Sequence, residues 1–135
     1  MTESSQCQMI EGGCLCGAIR FRFGCALRSC ICHCNTCRKA SSAPSMAWVT
    51  VDRVFFEFLS GNPQPFQSSP GVVRTFCGSC GSPLTFEESK APDSLDVATV
   101  ALDHADGFAP TRELWLDHKL TWEAVDADHE LKQQA

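Results

Sequence analysis

The chain has no tyrosine, an excess of acidic over basic residues, and no apolar run long enough to cross a bilayer. Sixteen Asp and Glu against eleven Lys and Arg leave a net charge of −5. Binding a phosphate backbone needs clustered positive charge, so no nucleic-acid partner is expected. A transmembrane helix needs roughly 20 consecutive apolar residues, which no segment approaches, so no membrane partner is expected either. The N-terminal stretch MTESSQCQMIEGG has neither a basic region followed by an apolar run nor a cleavage signature. The sequence therefore reads as a soluble cytoplasmic protein. No internal repeat or low-complexity block divides it. With tyrosine absent, aromatic packing falls to nine Phe and three Trp, enough for a compact core in one domain over residues 1–135.

Short runs rich in β-branched and aromatic residues dominate: AIRFRFG, MAWVTV, VFFEFL, VVRTF, PLTF, LDVATVAL and RELWL. Their lengths and alternation predict strands and a mainly β fold. No segment sustains a helical period over three turns, though CRKASSA after Cys37 suits a single turn. SGNPQPFQSSPG, residues 60–71, reads as a long surface loop, and residues 123–135 as a frayed polar tail.

The abundant residue is cysteine, ten in all. In a reducing compartment, closely spaced cysteines bind metal or carry chemistry more often than they form a disulfide framework. Three groups stand out. In EGGCLCG, Cys14 and Cys16 share a face of an extended segment, and the adjacent glycines let the backbone fold closely around an ion. In FCGSCGS, Cys77 and Cys80 flank a turn in the manner of a zinc knuckle, with Gly81 able to supply a positive φ after the second thiol. Together these pairs supply the four thiolates of a closed structural zinc site.

The third group, SCICHCNTCRK, holds Cys30, Cys32, Cys34 and Cys37. Cys32, Cys34 and Cys37 offer three ligands with a fourth position left for substrate or water, the layout of a catalytic zinc. Cys30 lies on the same face as Cys32 in an extended segment and is a possible extra ligand that would close the site. Both arrangements stay open at this level. His33 faces away from its cysteine neighbours in a strand and reads as a packed or hydrogen-bonded side chain. Arg38 and Lys39 are either solvated surface charges or groups that offset thiolate charge and hold the carboxylates of an acidic ligand. Cys7 and Cys25 have no spaced partner and read as free or buried thiols. Trp48, Trp115 and Trp122 read as core residues, and His104, His118 and His129 receive no role.

In order, EGGCLCGAIRF, CHCNTCRKASSAPSMAWVTV, GVVRTFCGSCGSPLTF, LDVATVALD and ELWLDHKLTW resemble the glutathione-dependent formaldehyde-activating (Gfa-like) family, from about Gly12 to Trp122. The resemblance implies a β-tent of antiparallel sheets, a structural zinc at Cys14, Cys16, Cys77 and Cys80, and a second, more labile zinc at Cys32, Cys34 and Cys37. Cys30 departs from the family pattern. The implied activity is carbon-sulfur bond formation between glutathione and formaldehyde, with Arg38 and Lys39 as candidates to orient the tripeptide carboxylates. The alternative is a zinc-stabilised thiol- or metal-binding module without turnover. The sequence leaves the true thiol and aldehyde and the oligomeric state open.

Overall fold

The computed structural model describes residues 7–134. Its strands are β1 (Ile10–Gly13), β2 (Arg20–Phe23), β3 (Ala26–Cys32), β4 (Met46–Asp52), β5 (Phe56–Ser60) and β6 (Gln64–Ser69), followed by β7 (Val72–Phe76), β8 (Pro83–Glu88), β9 (Ser94–Ala98), β10 (Arg112–Leu114) and β11 (Glu130–Leu131). Among the described residues one α-helix, α1 (Asn35–Ser41), follows β3, and short 3-10 turns link later strands. The fold is mainly β, as the short strand-like runs predict. No helix among the described residues is long and apolar enough to cross a membrane.

Two sheets form, one in the order β1-β2-β5 and one in the order β11-β10-β3-β4-β9-β8-β7-β6. Their main core lies where Phe21 and Phe23 of β2 meet Val49, Val51, Leu84 and Val97 of the larger sheet. All six are 0% exposed, and each such side chain contributes about 1.5–3 kcal/mol through removal of apolar surface from water. Phe56 and Phe58 of β5 extend the aromatic stack, with ring centroids 5.6 Å and 6.3 Å from Phe21. Gly12 is required where β1 passes residues 101–102, because a Cβ there would sit 2.4 Å from the Ala101 carbonyl oxygen.

The period of two along each strand places a different set of side chains on the opposite face of the large sheet. Trp48 pairs with Cys30 and Ala98, and Arg74 pairs with Phe86. These residues, with Cys32, Cys37 and Met46, surround a second, smaller core. The sequence places the cysteines of this group; the pleat places them beside Arg74.

Four details differ from the reading of the sequence. The sheets are not purely antiparallel, since β10 runs parallel to both β3 and β11. Residues 60–71 contain β6, paired with β7 alone at the sheet edge, where Pro65 is tolerated because an edge strand has spare donor positions. ALRSCIC is a seven-residue strand that its polar interruptions conceal. The expected frayed tail instead carries β11, held by Lys132 N–H donating to Glu113 O at 2.9 Å and Glu130 N–H to Thr111 O at 3.0 Å.

Candidate metal centres

The first cysteine set joins two turns distant in sequence. Between β1 and β2, Gly17 N–H donates to Cys14 O, and between β7 and β8, Gly81 N–H donates to Cys77 O at 2.7 Å. Gly81 adopts φ +81°, the left-handed conformation in which glycine carries no Cβ penalty. These turns bring the Sγ atoms of Cys14, Cys16, Cys77 and Cys80 within 4.8 Å of one another. Cys14 Sγ and Cys16 Sγ lie 3.6 Å apart, and Cys16 Sγ and Cys77 Sγ 3.8 Å apart. Four sulfurs at about 2.3 Å from one ion would be separated by about 3.8 Å along the edges of a tetrahedron, so the set fits a four-thiolate metal. Ile19 N–H donates to Cys14 Sγ at 3.3 Å, and contacts with Ser82, first its hydroxyl and then its backbone, bring the Cys80 thiol down to about 5. Hydrogen bonds to sulfur favour the thiolate that a metal requires.

The second set is built where β3 runs into α1. Cys32 ends the strand, Cys34 caps the helix with its Sγ accepting from Cys37 N–H at 3.2 Å, and Cys37 is buried one turn in. The three sulfurs lie within 4.8 Å of one another, and Cys30 is not among them. Cys30 lies on the same face but is buried against Trp48 and Ala98; burial, then the nearby Asp96 carboxylate, pushes its thiol up to about 12. Within the trio, sulfur hydrogen bonds from Cys32 and then Cys37 hold Cys34 far below the ordinary thiol range.

Arg74, which sequence reasoning passed over, is the cation at this set. Its Nη1 and Nη2 lie 3.7 Å and 3.6 Å from Cys37 Sγ, and its Nε donates to Ser68 Oγ at 2.9 Å. It is 9% exposed. A lone arginine inside the apolar run VVRTF is the signal that could have found it, because a buried charge requires a partner.

A cavity of about 540 Å³ opens beside the set, lined by Cys30, Cys32, Cys34, Cys37, Arg28, Arg74 and Arg112 among others. Trp48, Phe86, Trp115 and His118 form its aromatic walls. Arg38 and Lys39 do not line it. Arg38 turns back to its own loop, its Nε donating to His33 O at 3.3 Å and its Nη2 to Asn35 Oδ1. Lys39 lines a neighbouring, more apolar cavity of about 620 Å³ that Cys37 and Arg74 share.

The remaining candidates separate cleanly. His33 is fully buried, as its packed reading requires, with Nε2 2.6 Å from Glu113 Oε1. Cys7 and Cys25 are not free thiols but form a disulfide across 18 residues of sequence; motif spacing cannot reveal a pair brought together by the entry of the chain into β1. Trp48 is core at 4% exposure, whereas Trp122 is 69% exposed, and Trp115 is half-buried at the cavity. His129, given no role above, touches Glu113 Oε2 at 2.6 Å.

Comparison with known proteins adds independent support. The chain is 37% identical over 81 residues to an uncharacterized lyase of Schizosaccharomyces pombe, a match covering 56% of each protein; the similarity thus spans little more than half the length of that relative. Its fold is similar to the crystal structure of a Rhodobacter sphaeroides protein, with a TM-score of 0.60 at 21% identity, covering 69% of this chain and 87% of the other. The family model described as glutathione-dependent formaldehyde-activating enzyme matches residues 9–118. With both cysteine sets inside that span, the chain belongs to the glutathione-dependent formaldehyde-activating enzyme family.

Proposed function

We propose that this chain is a zinc-dependent enzyme of the carbon-sulfur lyase type that joins a glutathione-like thiol to a small aldehyde, or reverses that step, in the cavity beside Cys32, Cys34 and Cys37. The observation that carries this reading is a compact three-sulfur set on the wall of a cavity of about 540 Å³ that also holds three arginines. In this reading Cys14, Cys16, Cys77 and Cys80 hold a structural zinc, complete with four ligands. Cys32, Cys34 and Cys37 hold the second. When bound there, zinc supplies Lewis acidity that favours the thiolate form of a substrate thiol near neutral pH.

The chain's own residues do the positioning. Arg74, against Cys37, offsets the negative charge that three thiolates concentrate. Arg28 and Arg112 stand on the cavity wall, Arg112 with its Nε on Glu130 Oε1 at 3.1 Å, and the guanidinium fork is suited to paired carboxylate oxygens. In this reading they take the role expected of Arg38 and Lys39. Trp48 and Phe86, with ring centroids 5.8 Å apart, give the cavity an apolar aromatic wall. In the forward direction the thiol sulfur bonds to the aldehyde carbon, the carbonyl π bond opens, and the thiol proton ends on the new hydroxyl oxygen. No oxidant is consumed. His118, its ring tilted against Trp115 with centroids 4.9 Å apart and with Nδ1 buried and unpartnered among the described residues, is the imidazole on that wall that would carry the proton.

The test is zinc content per chain in the wild type and in Cys34→Ser, with glutathione and formaldehyde followed by NMR in the presence of each. Two ions in the wild type, one in the variant, and adduct formation above the uncatalysed rate with the wild type alone are expected. Background rates across a range of thiols and aldehydes would favour a non-catalytic thiol- or metal-binding module.

A further inference from the structure

We infer that Glu113 is a positioning residue for the Cys32–Cys34–Cys37 set, acting through His33, and that through His129 it couples this set to the C-terminal segment around β11. The inference rests on the reading that these cysteines hold a metal.

Glu113 occupies the middle of β10, a three-residue strand that runs parallel beside β3. Its neighbours Arg112 and Leu114 register with Cys30 and Cys32, and Glu113 with Ile31. The pleat therefore directs its side chain to the opposite face from the cysteines. There it is buried, 2% exposed, with Oε1 2.6 Å from His33 Nε2 and Oε2 2.6 Å from His129 Nδ1. Burying a carboxylate is unfavourable unless its oxygens are bonded. Here each oxygen has one imidazole.

His33 is the single residue between Cys32 and Cys34, so its orientation governs the direction in which the two flanking thiols point. Its N–H donates to Leu114 O at 2.9 Å, and Arg38 Nε donates to its carbonyl. Its Nδ1 is buried without a hydrogen-bond partner among the described residues. Among the described residues Glu113 is therefore the one polar anchor of the ring. Partners of this kind, one bond removed from a metal, set ligand orientation and with it affinity.

The other oxygen reaches the C-terminal segment. Backbone bonds to Thr111 and Glu113 and an exposed Arg112–Glu130 ion pair at 3.1 Å hold β11 at the sheet edge, and both of its residues are exposed. His129, with its side chain 18% exposed, is the point where this segment meets a buried polar group. One carboxylate thus ties together the loop carrying the thiolates and a segment almost a hundred residues later. Coupling of this kind is reciprocal: metal in the second set stabilises docking of the segment, and docking raises metal affinity.

The full-length protein carrying Glu113→Gln, which keeps the side-chain size, tests this. Cobalt is loaded at both sets, its thiolate charge-transfer bands are followed under chelator competition, and hydrogen exchange is read over residues 126–132. About a 10- to 100-fold loss of affinity at the second set is expected, with the first set unchanged and exchange at 126–132 accelerated. A general loss of stability would instead weaken both sets together, and that result overturns the inference. So does a folded variant with wild-type affinity at both sets. If Glu113→Gln does not fold, His129→Asn replaces it, with a smaller loss expected at the second set alone; equal affinity at both sets again overturns the coupling. A wild type that takes up a single ion per chain overturns the metal reading itself, whereas two ions with an unaffected variant overturn only the role of Glu113.

Discussion

Both terminal nitrogens of Arg74 lie on Cys37 Sγ, at 3.7 Å and 3.6 Å, while its guanidinium carbon sits 4.9 Å from the centroid of the Phe86 ring. The cation is clamped between a sulfur and an aromatic face, a position that a lysine ammonium could not reproduce. Arg74→Met keeps the packing but removes the charge. Hydrogen bonds to charged groups are worth about 1.5–3 kcal/mol, so kcat/KM for the proposed thiol–aldehyde addition is expected to fall by about 10- to 100-fold. The melting temperature should fall as well, because removing one partner of a buried pair leaves the other without its compensating charge. Steady-state kinetics beside thermal unfolding check both halves.

The two cysteine sets should fail differently. Cys77 is 2% exposed within the main core and belongs to a set that ties two turns 61 residues apart. Binding energy at a site of this kind is folding energy, so Cys77→Ser is expected to give insoluble or unfolded protein. Cys34→Ser, at a half-buried helix cap, is expected to leave a folded chain lacking one ion. A Cys77→Ser protein with full metal content and unchanged unfolding would contradict this contrast.

Asp103 gives a pH dependence whose sign can be worked out. Its bidentate contact with Arg20 holds its carboxyl below the ordinary carboxylate range. A carboxylate with a lowered folded pKa contributes stability that is complete above its unfolded pKa, about 3.9, and that fades as pH falls through the lower folded value. The pair is about one-third exposed, with side chains at 34% and 39%, so its worth is below about 1 kcal/mol. Asp103→Asn is expected to cost that amount at pH 7 and less near pH 2. Denaturant titrations at the two values measure the difference.

The disulfide between Cys7 and Cys25 closes a loop spanning 18 residues. In the chain-entropy account a loop of this size is worth about 3 kcal/mol. Cys25→Ser should lower the denaturation midpoint by that equivalent while leaving both metal sets loaded. Chemical denaturation beside metal analysis of the variant decides it.

Much of the fold was legible because its signals are local. Alternation in RFRF, MAWVTV and PLTF reports strands directly, and the two CxC and CxxC pairs report turns that present sulfur. The family resemblance rested on those same motifs. What stayed hidden were elements whose reason lies elsewhere in the chain. QPFQSS becomes β6 because β7 offers a free edge, and the polar C-terminal segment is ordered because it meets the backbone of β10 and the buried Glu113.

The sequence by itself determined which residues could hold metal, since ligand chemistry and turn spacing are written in short motifs. Only the tertiary structure decided which charges lie beside them. Arg38 and Lys39 stand next to Cys37 in sequence, yet Arg38 turns back to its own loop and Lys39 faces a separate cavity. Arg74, 37 residues away, reaches the sulfur, and Glu113, 80 residues away, reaches the histidine between two of the thiols. Strand pairing brings together residues remote in sequence, and a buried charge must find its partner wherever the sheet places one. That pairing is also what left Cys30 beside Trp48 and outside the three-sulfur set.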